Sequence, residues 1–325
     1  MPPPFDAVLL IAFGGPQGLD DVRPFLANVL RGRRVPPERV EEVVAHYERF
    51  QGVSPLAAIT RRQAEGLRAG LLARGVDLPV YVGMRNWHPL LSDVVREMGR
   101  QGVSRAIGFI CAPHRCYSGC GQYRENVVDA RAAAVAAGHP DVTITYVGDW
   151  HAHEQFVEVN ARNIDAALAR LPSPLRHAAR LVFTAHSIPA AMAGSATYRA
   201  QLLESARLVA ARLRRPDWAL VFQSRSGRPE DRWLEPDVCR YLREERSRGL
   251  AAAVLCPIGF ICDHIEVLYD LDHEAAQLGA SIGLPLARAQ TANDHPIFLD
   301  MMADVVWRTW QRYRTGRPLS LAAAS

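Results

Sequence analysis

The sequence predicts an α/β fold built on parallel sheets, and three observations carry that expectation. Apolar runs of strand length alternate with segments of helical length along the chain. The runs at Arg180 to Thr184 and Ala251 to Cys256 read as buried parallel strands, covered on both faces. Polar residues able to do chemistry stand directly after two of the runs, where open parallel sheets place their ligands.

The first run, Ala7 to Ala12, has Asp6 before it and no basic residues leading into it, so it reads as a core strand and not as a secretory signal. Pro55 to Arg74 is expected to be a helix, and Pro79 to Gly83 and Arg105 to Phe109 to be strands. Gln122 to Ala137 and Glu154 to Arg170 have helical length, with a strand expected between them over Val142 to Val147. Further strands are expected at Arg180 to Thr184, Ala219 to Gln223 and Ala251 to Cys256, and a last helix from about Asp294 to Arg314. Two four-stranded units fit this length better than one sheet of about eight strands. Leu171-Pro172-Ser173-Pro174 supplies the junction. The expected division is an α/β unit over 1–172, a second over 173–290, and a final stretch, 291–325, whose helix returns to the first unit before a frayed tail at Ala322 to Ser325.

Composition removes several function classes. The chain has 325 residues, 49% of them hydrophobic, which is enough for two cores without covalent staples. All 38 basic residues are arginine, so a phosphate-loop lysine and a Schiff-base lysine are both excluded. The net charge of +4 is spread without a basic block, which gives nucleic-acid binding no support. No segment reaches the roughly 20 apolar residues of a membrane span. A cytoplasmic location and a monomer are expected. Gly14-Gly15-Pro16-Gln17-Gly18 lacks the spacing of a dinucleotide loop.

The chemistry concentrates in two segments. In Thr184-Ala185-His186-Ser187-Ile188-Pro189, His186 follows the Arg180 to Thr184 strand; in Asp263-His264-Ile265-Glu266, Glu266 follows the Ala251 to Cys256 strand and opens a helix. An imidazole and a carboxylate, each past a strand end, can meet across a cleft. On a regular helix Glu266, Asp270, His273 and Glu274 share one face, within about 100° of arc at about 100° per residue. Stacked acids repel by a few tenths of a kcal/mol per pair unless a cation offsets them. A solvated face is the alternative reading. His264 would point nearly opposite Glu266 on such a helix.

These segments resemble the ferrochelatases. So do Phe222-Gln223-Ser224-Arg225, Trp233-Leu234-Glu235-Pro236, Ala12-Phe13-Gly14-Gly15-Pro16, Arg31-Gly32-Arg33, His46-Tyr47, Gly52-Val53-Ser54-Pro55, Arg85-Asn86-Trp87 and Tyr117-Ser118-Gly119-Cys120-Gly121-Gln122-Tyr123. The likeness covers nearly the whole chain in order, and its details look most like the coproporphyrin-using enzymes of Gram-positive bacteria and actinobacteria. It implies two similar Rossmann-like lobes, each with a parallel sheet flanked by helices, around a porphyrin cleft, and insertion of ferrous iron into coproporphyrin III or protoporphyrin IX. It implies His186 and Glu266 as catalytic residues, and His186, Glu266, Asp270 and Glu274 as ligands for the incoming iron. Phe13, Arg31, His46, Tyr47, Ser54 and Tyr123 would face the tetrapyrrole, with Arg31 and Ser54 as partners of its propionates; an ordinary solvated cluster is the other reading of Arg31, Arg33 and Arg34. Trp87 is expected along the cleft. Some coproporphyrin-type relatives carry tyrosine where Phe13 stands and arginine where Leu30 and His46 stand, so axial ligation of product and the propionate grip differ here.

Cys111, Cys116 and Cys120 lie within ten positions. With a spatial fourth such as Cys262 or Cys256 they could hold a [2Fe-2S] cluster, as some ferrochelatases do; buried free thiols are the alternative. The C-terminal cysteine pattern of some relatives is absent. Two further functions stay open at this level: a non-catalytic tetrapyrrole or metal carrier on the same fold, and a cobalt or nickel chelatase, since residue identity alone does not choose among divalent metals. Transient contact with a membrane or a pathway enzyme is likewise open.

Overall fold

The computed structural model describes residues 3–32, 35–192, 194–226 and 231–315. Arg33, Arg34 and the Ala322 to Ser325 tail lie outside the described residues.

The first lobe contains β1 (Ala7–Ala12), α1 (Leu19–Val29), α2 (Pro37–Glu48), α3 (Leu56–Ala73), β2 (Val80–Met84), α4 (Leu91–Arg100), β3 (Arg105–Ile110), a π-helical turn at Tyr117–Gly121, α5 (Gln122–Ala136) and β4 (Thr143–Tyr146). Next come α6 (Glu154–Leu168), β5 (Arg180–His186), α7 (Ser195–Arg212), β6 (Trp218–Gln223), α8 (Val238–Ser247) and β7 (Ala253–Cys256). A rod follows in three stretches: α9 (Ile265–Val267), a π-helical segment (Leu268–Ala275) and α10 (Ala276–Ser281). The short β8 (Leu286–Arg288) and the long α11 (Pro296–Arg314) complete the chain. No described helix is long and apolar enough to cross a membrane.

Two wholly parallel sheets result, ordered β2-β1-β3-β4 and β6-β5-β7-β8, so the same strand order is used twice. Both faces of each sheet are covered. Along β1, Ala7, Leu9 and Ile11 enter a cluster with Leu91, Val95 and Met98 of α4 and Val127 of α5, while Val8 and Leu10 face the opposite way. The latter join a large core with Leu67 and Leu71 of α3, Phe183 of β5 and Phe298, Met301 and Met302 of α11. That shared core ties the lobes together. Val182, Val221 and Leu255 point outward from the second sheet, toward Leu242 of α8 and Leu271 of the rod.

The contacts of α6 are with α7, α11, β7 and β8, and α11 lies against α3 as well as α6. Two glycines let α3 and α11 approach closely. A Cβ on Gly70 would stand 2.6 Å from the Cβ of Ala303, and one on Gly66 would stand 2.4 Å from Cδ1 of Leu299.

All seven expected strands form, with ends displaced by at most two residues. The displacement at β5 matters, because the strand continues through His186 and pairs that residue with Gln223 of β6. The eighth strand, which two four-stranded units require, was not located in the sequence; its three residues are too few for a polarity pattern. The rod departs from the regular helix assumed above, since eight of its residues are π-helical.

Candidate active site

His186 and Glu266 come together. The end of β5 delivers the imidazole and the first turn of the rod delivers the carboxylate, with Nε2 3.8 Å from Oε2. The side chains are 32% and 43% exposed, so both can be reached from the cleft. Nδ1 of His186 is engaged with the carbonyl of Ser187, and the Tyr198 hydroxyl donates to the His186 carbonyl at 3.1 Å. If Nδ1–H donates to that carbonyl, Nε2 is left as the basic nitrogen facing Glu266. Gly259 N–H donates to Thr184 O, fixing the loop after β7 against the end of β5, and a Cβ on Gly259 would meet that of Ala185 at 2.5 Å.

The π-helical turns decide where the remaining carboxylates fall. Their i→i+5 bonding makes a turn longer than four residues, so residues four apart fall just short of a full turn. Glu266, Asp270 and Glu274 therefore stay on one side, while His273, seven residues beyond Glu266, leaves the stripe. His273 instead has Nδ1 3.5 Å from an Arg49 guanidinium nitrogen and its ring 5.4 Å from Tyr269. His264 caps the rod with its Nδ1, accepting from Glu266 N–H at 3.2 Å on extended backbone, so the ideal-helix orientation assumed for it does not apply. Burial holds its pKa below the usual imidazole range.

Asp270 is the most perturbed acid of the site. Burial, aided by the charges of Glu266 and Glu274, pushes its pKa up to about 7 against opposing bonds from Ser224 and Gln223. The Ser224 hydroxyl donates to Oδ2, and Gln223 Nε2 donates both to Oδ2 and to the Glu266 carbonyl, each at 3.2 Å. Ser224 sits at φ 59°, a left-handed conformation that strains a non-glycine residue and aims the hydroxyl at Asp270. Glu274 is also raised, by burial and by Asp237. The sequence marks Gln223 and Ser224 only as part of a motif; their place at the end of a strand was the signal available.

The first lobe supplies an aromatic wall. Phe13, Tyr47 and Trp87 gather around Phe25, with Phe13 6.2 Å, Tyr47 5.7 Å and Trp87 6.4 Å from its ring. The guanidinium of Arg85 lies 5.8 Å from the Phe13 ring and 5.2 Å from that of Tyr123. Burial raises the phenols of Tyr47 and Tyr123, and the charge of Glu266 acts on both across the cleft. The His46 ring is stacked on Tyr269 of the rod, centroids 3.6 Å apart and planes 16° from parallel. Arg31 is exposed just beyond α1 and bonds Asn28 Oδ1 at 2.7 Å, whereas Ser54 is buried beside Gly15.

Two sets of residues do not converge. Among the described residues, no three His, Cys, Asp or Glu side chains gather where they could hold one metal ion. Glu266, Asp270 and Glu274 thus form a succession along the rod leading away from His186 at the end of β5, and not a single chelate. Cys111, Cys116, Cys120 and Cys262 likewise make no cluster site. Burial raises the thiols of Cys111, Cys116 and Cys262, the last to about 12, and so opposes the thiolate form that iron requires. Cys116 Sγ accepts from Gly119 N–H at 3.2 Å, which ties it into its own turn.

Comparison with known proteins gives this geometry its context. The family model described as Ferrochelatase matches residues 5–310. The chain belongs to the ferrochelatase family. A protein of Rhodopirellula baltica named ferrochelatase is 46% identical over 306 residues, spanning 94% of this chain and 86% of that protein. Proteins named coproporphyrin III ferrochelatase are 45% identical in Nocardia farcinica and 47% identical in Mycolicibacterium paratuberculosis, each match spanning 93% of this chain and 87% of the relative. Among solved structures, SirB from Bacillus subtilis with Fe3+ superposes with a TM-score of 0.56 at 12% identity, covering 95% of this chain and 97% of that one. That likeness shows the two-lobed fold. As a member of the ferrochelatase family the chain is a lyase of haem biosynthesis, with ferrous iron and a porphyrin as substrates.

Proposed function

We propose that the chain inserts ferrous iron into coproporphyrin III, with His186 and Glu266 as the catalytic pair. The observation that carries the reading is their 3.8 Å approach at the carboxyl ends of the second sheet, opposite the aromatic wall of the first lobe. Metallation releases two pyrrole N–H protons while the iron sheds its water. Nε2 of His186 accepts one proton, and Glu266 accepts or relays the other toward Asp270. With its pKa near 7, Asp270 can both gain and release a proton near neutrality. Asp270 and Glu274 offer oxygen ligands, one after another, that hold ferrous iron loosely on its way in. Phe13, Tyr47 and Tyr123 pack against the macrocycle, and Arg31 and Ser54 bind its propionates. The names of the relatives from Nocardia and Mycolicibacterium support coproporphyrin III as the ring. In this reading the cysteines are buried thiols, and the protein works as a cytoplasmic monomer.

Anaerobically purified protein mixed with ferrous iron and each porphyrin in turn tests this directly. Free-base absorbance should convert to the metallated spectrum with coproporphyrin III, and His186→Ala and Glu266→Gln should each slow conversion about 10²- to 10⁴-fold. Near-parental rates in both variants would remove the pair from the mechanism. Turnover with protoporphyrin IX alone would reassign the ring, and acid-labile sulfide in the purified protein would restore the cluster.

A further inference from the structure

Five acids crowd twelve residues of the rod and its approach: Asp263, Glu266, Asp270, Asp272 and Glu274. One cation stands against this group from outside the cleft. Arg288, the last residue of β8, gives Nε and NH2 to the two oxygens of Asp272, both at 2.7 Å, and NH1 to Asp263 at 2.8 Å. Its remaining bond goes to the Ala289 carbonyl at 3.4 Å. The guanidinium and Asp263 are only 14% and 13% exposed, so that pair is shielded from water and salt, while Asp272 is 39% exposed. Asp263 in turn accepts from Thr291 N–H at 3.2 Å and Asn293 Nδ2 at 2.8 Å, while Asn293 Oδ1 accepts from Asp263 N–H at 2.9 Å.

Asp263 lies three residues before Glu266, and Asp272 lies two after Asp270. The stretch between them leaves extended backbone, passes through one α-helical turn and enters the wide π-helical turns. Such turns occur mostly as single interruptions and persist where surrounding contacts hold them. On the cleft side Gln223 and Ser224 hold Glu266 and Asp270; on the outer side one planar, bidentate group ties the two flanks of the same segment.

We propose that Arg288, through Asp263 and Asp272, is a positioning residue that sets the π-helical register presenting Glu266 and Asp270 to the metal path. This rests on the catalytic reading of Glu266 given above. Arg288 touches no substrate. Its effect is on where the two carboxylates stand, and an ångström-scale misplacement of a reacting group lowers turnover steeply. A lysine cannot replace it, since one ammonium cannot serve both carboxylates in a plane.

The test compares Asp272→Asn and Arg288→Lys with Glu266→Gln and with Glu245→Gln. Glu245 pairs with Arg180 and Arg248 on α8, away from the cleft, and serves as a control for loss of a semi-buried ion pair. Purified full chains are compared for iron insertion, the KM for coproporphyrin III and thermal unfolding. Asp272→Asn and Arg288→Lys should lower kcat about 10- to 100-fold with the porphyrin KM within about twofold. Glu245→Gln should be destabilised comparably and keep its kcat. Asp272→Asn alone suffices if Arg288→Lys does not fold. Parental kcat in folded Asp272→Asn while Glu266→Gln is inactive would overturn the positioning role and leave the catalytic reading standing. An equal fall in kcat for Glu245→Gln would also overturn it, by assigning the loss to stability, and an active Glu266→Gln would overturn both.

Discussion

Replacing Asp270 with asparagine should make the metal-free protein more stable while disabling it. An aspartate with an ordinary pKa of about 3.9 in the unfolded chain is raised to about 7 in the folded one. Between these values the folded state binds the extra proton, so this group's contribution to stability falls as pH rises through the window. Three units correspond to an upper bound of about 4 kcal/mol near pH 8 and about 2 kcal/mol near pH 5.5. The neutral amide would keep an oxygen to accept from Ser224 and Gln223 and would no longer repel Glu266 and Glu274. Screening at the cleft rim brings the expected gain near pH 8 down to about 2–3 kcal/mol. Urea unfolding of parent and Asp270→Asn at both pH values, metal absent, measures the difference directly. A variant no more stable than the parent near pH 8, or a gain that does not shrink on acidification, would refute the burial and repulsion assigned to Asp270.

Other consequences are independent of that one. His114 is buried with its pKa lowered to about 3 by burial and by His151, so its neutral form is what folds; stability should fall as pH drops below about 6.5 and continue falling toward 3. His114→Gln should flatten that slope in acid unfolding curves, and an unchanged slope would contradict it. Gly70→Ala places a methyl 2.6 Å from Ala303 Cβ and should destabilise by about 1–3 kcal/mol in denaturant titration, although alanine is the better helix former; a stabilised variant would mean that α3 and α11 separate freely. Tyr269→Ala removes the stack on His46, worth about 0.5–1.5 kcal/mol, and should speed amide exchange in α2. Unchanged exchange at residues 37–48 would show that α2 is held without it.

Most strands were legible because they lie between two helical layers, which demands apolar side chains in both directions and writes an unbroken run into the sequence, as at β1; the edge strand β4, with Thr143 and Thr145, is an exception. His186 and Glu266 were legible for a related reason, as polar residues standing where such runs end. The π-helical segment was not. Four-residue spacing keeps carboxylates on one side of either kind of helix, so the pattern that suggested a regular rod fits the wider turn equally well and differs only at His273. The stacking of His46 was not legible either, because its partner Tyr269 is more than 200 positions away on the other lobe.

By itself the sequence determined the two-sheet α/β class, the family and the pair of segments that carry the chemistry, because burial periodicity and short motifs are local properties of the chain. The tertiary structure alone decided that the His186 and Glu266 side chains stand 3.8 Å apart, that Asp270 is held by Ser224 and loses much of its acidity, that the four cysteines do not converge, and that Arg288 spans Asp263 and Asp272. Each of these depends on how far water is excluded and on which distant groups share the resulting space, and neither quantity is written in the order of residues along one strand or helix.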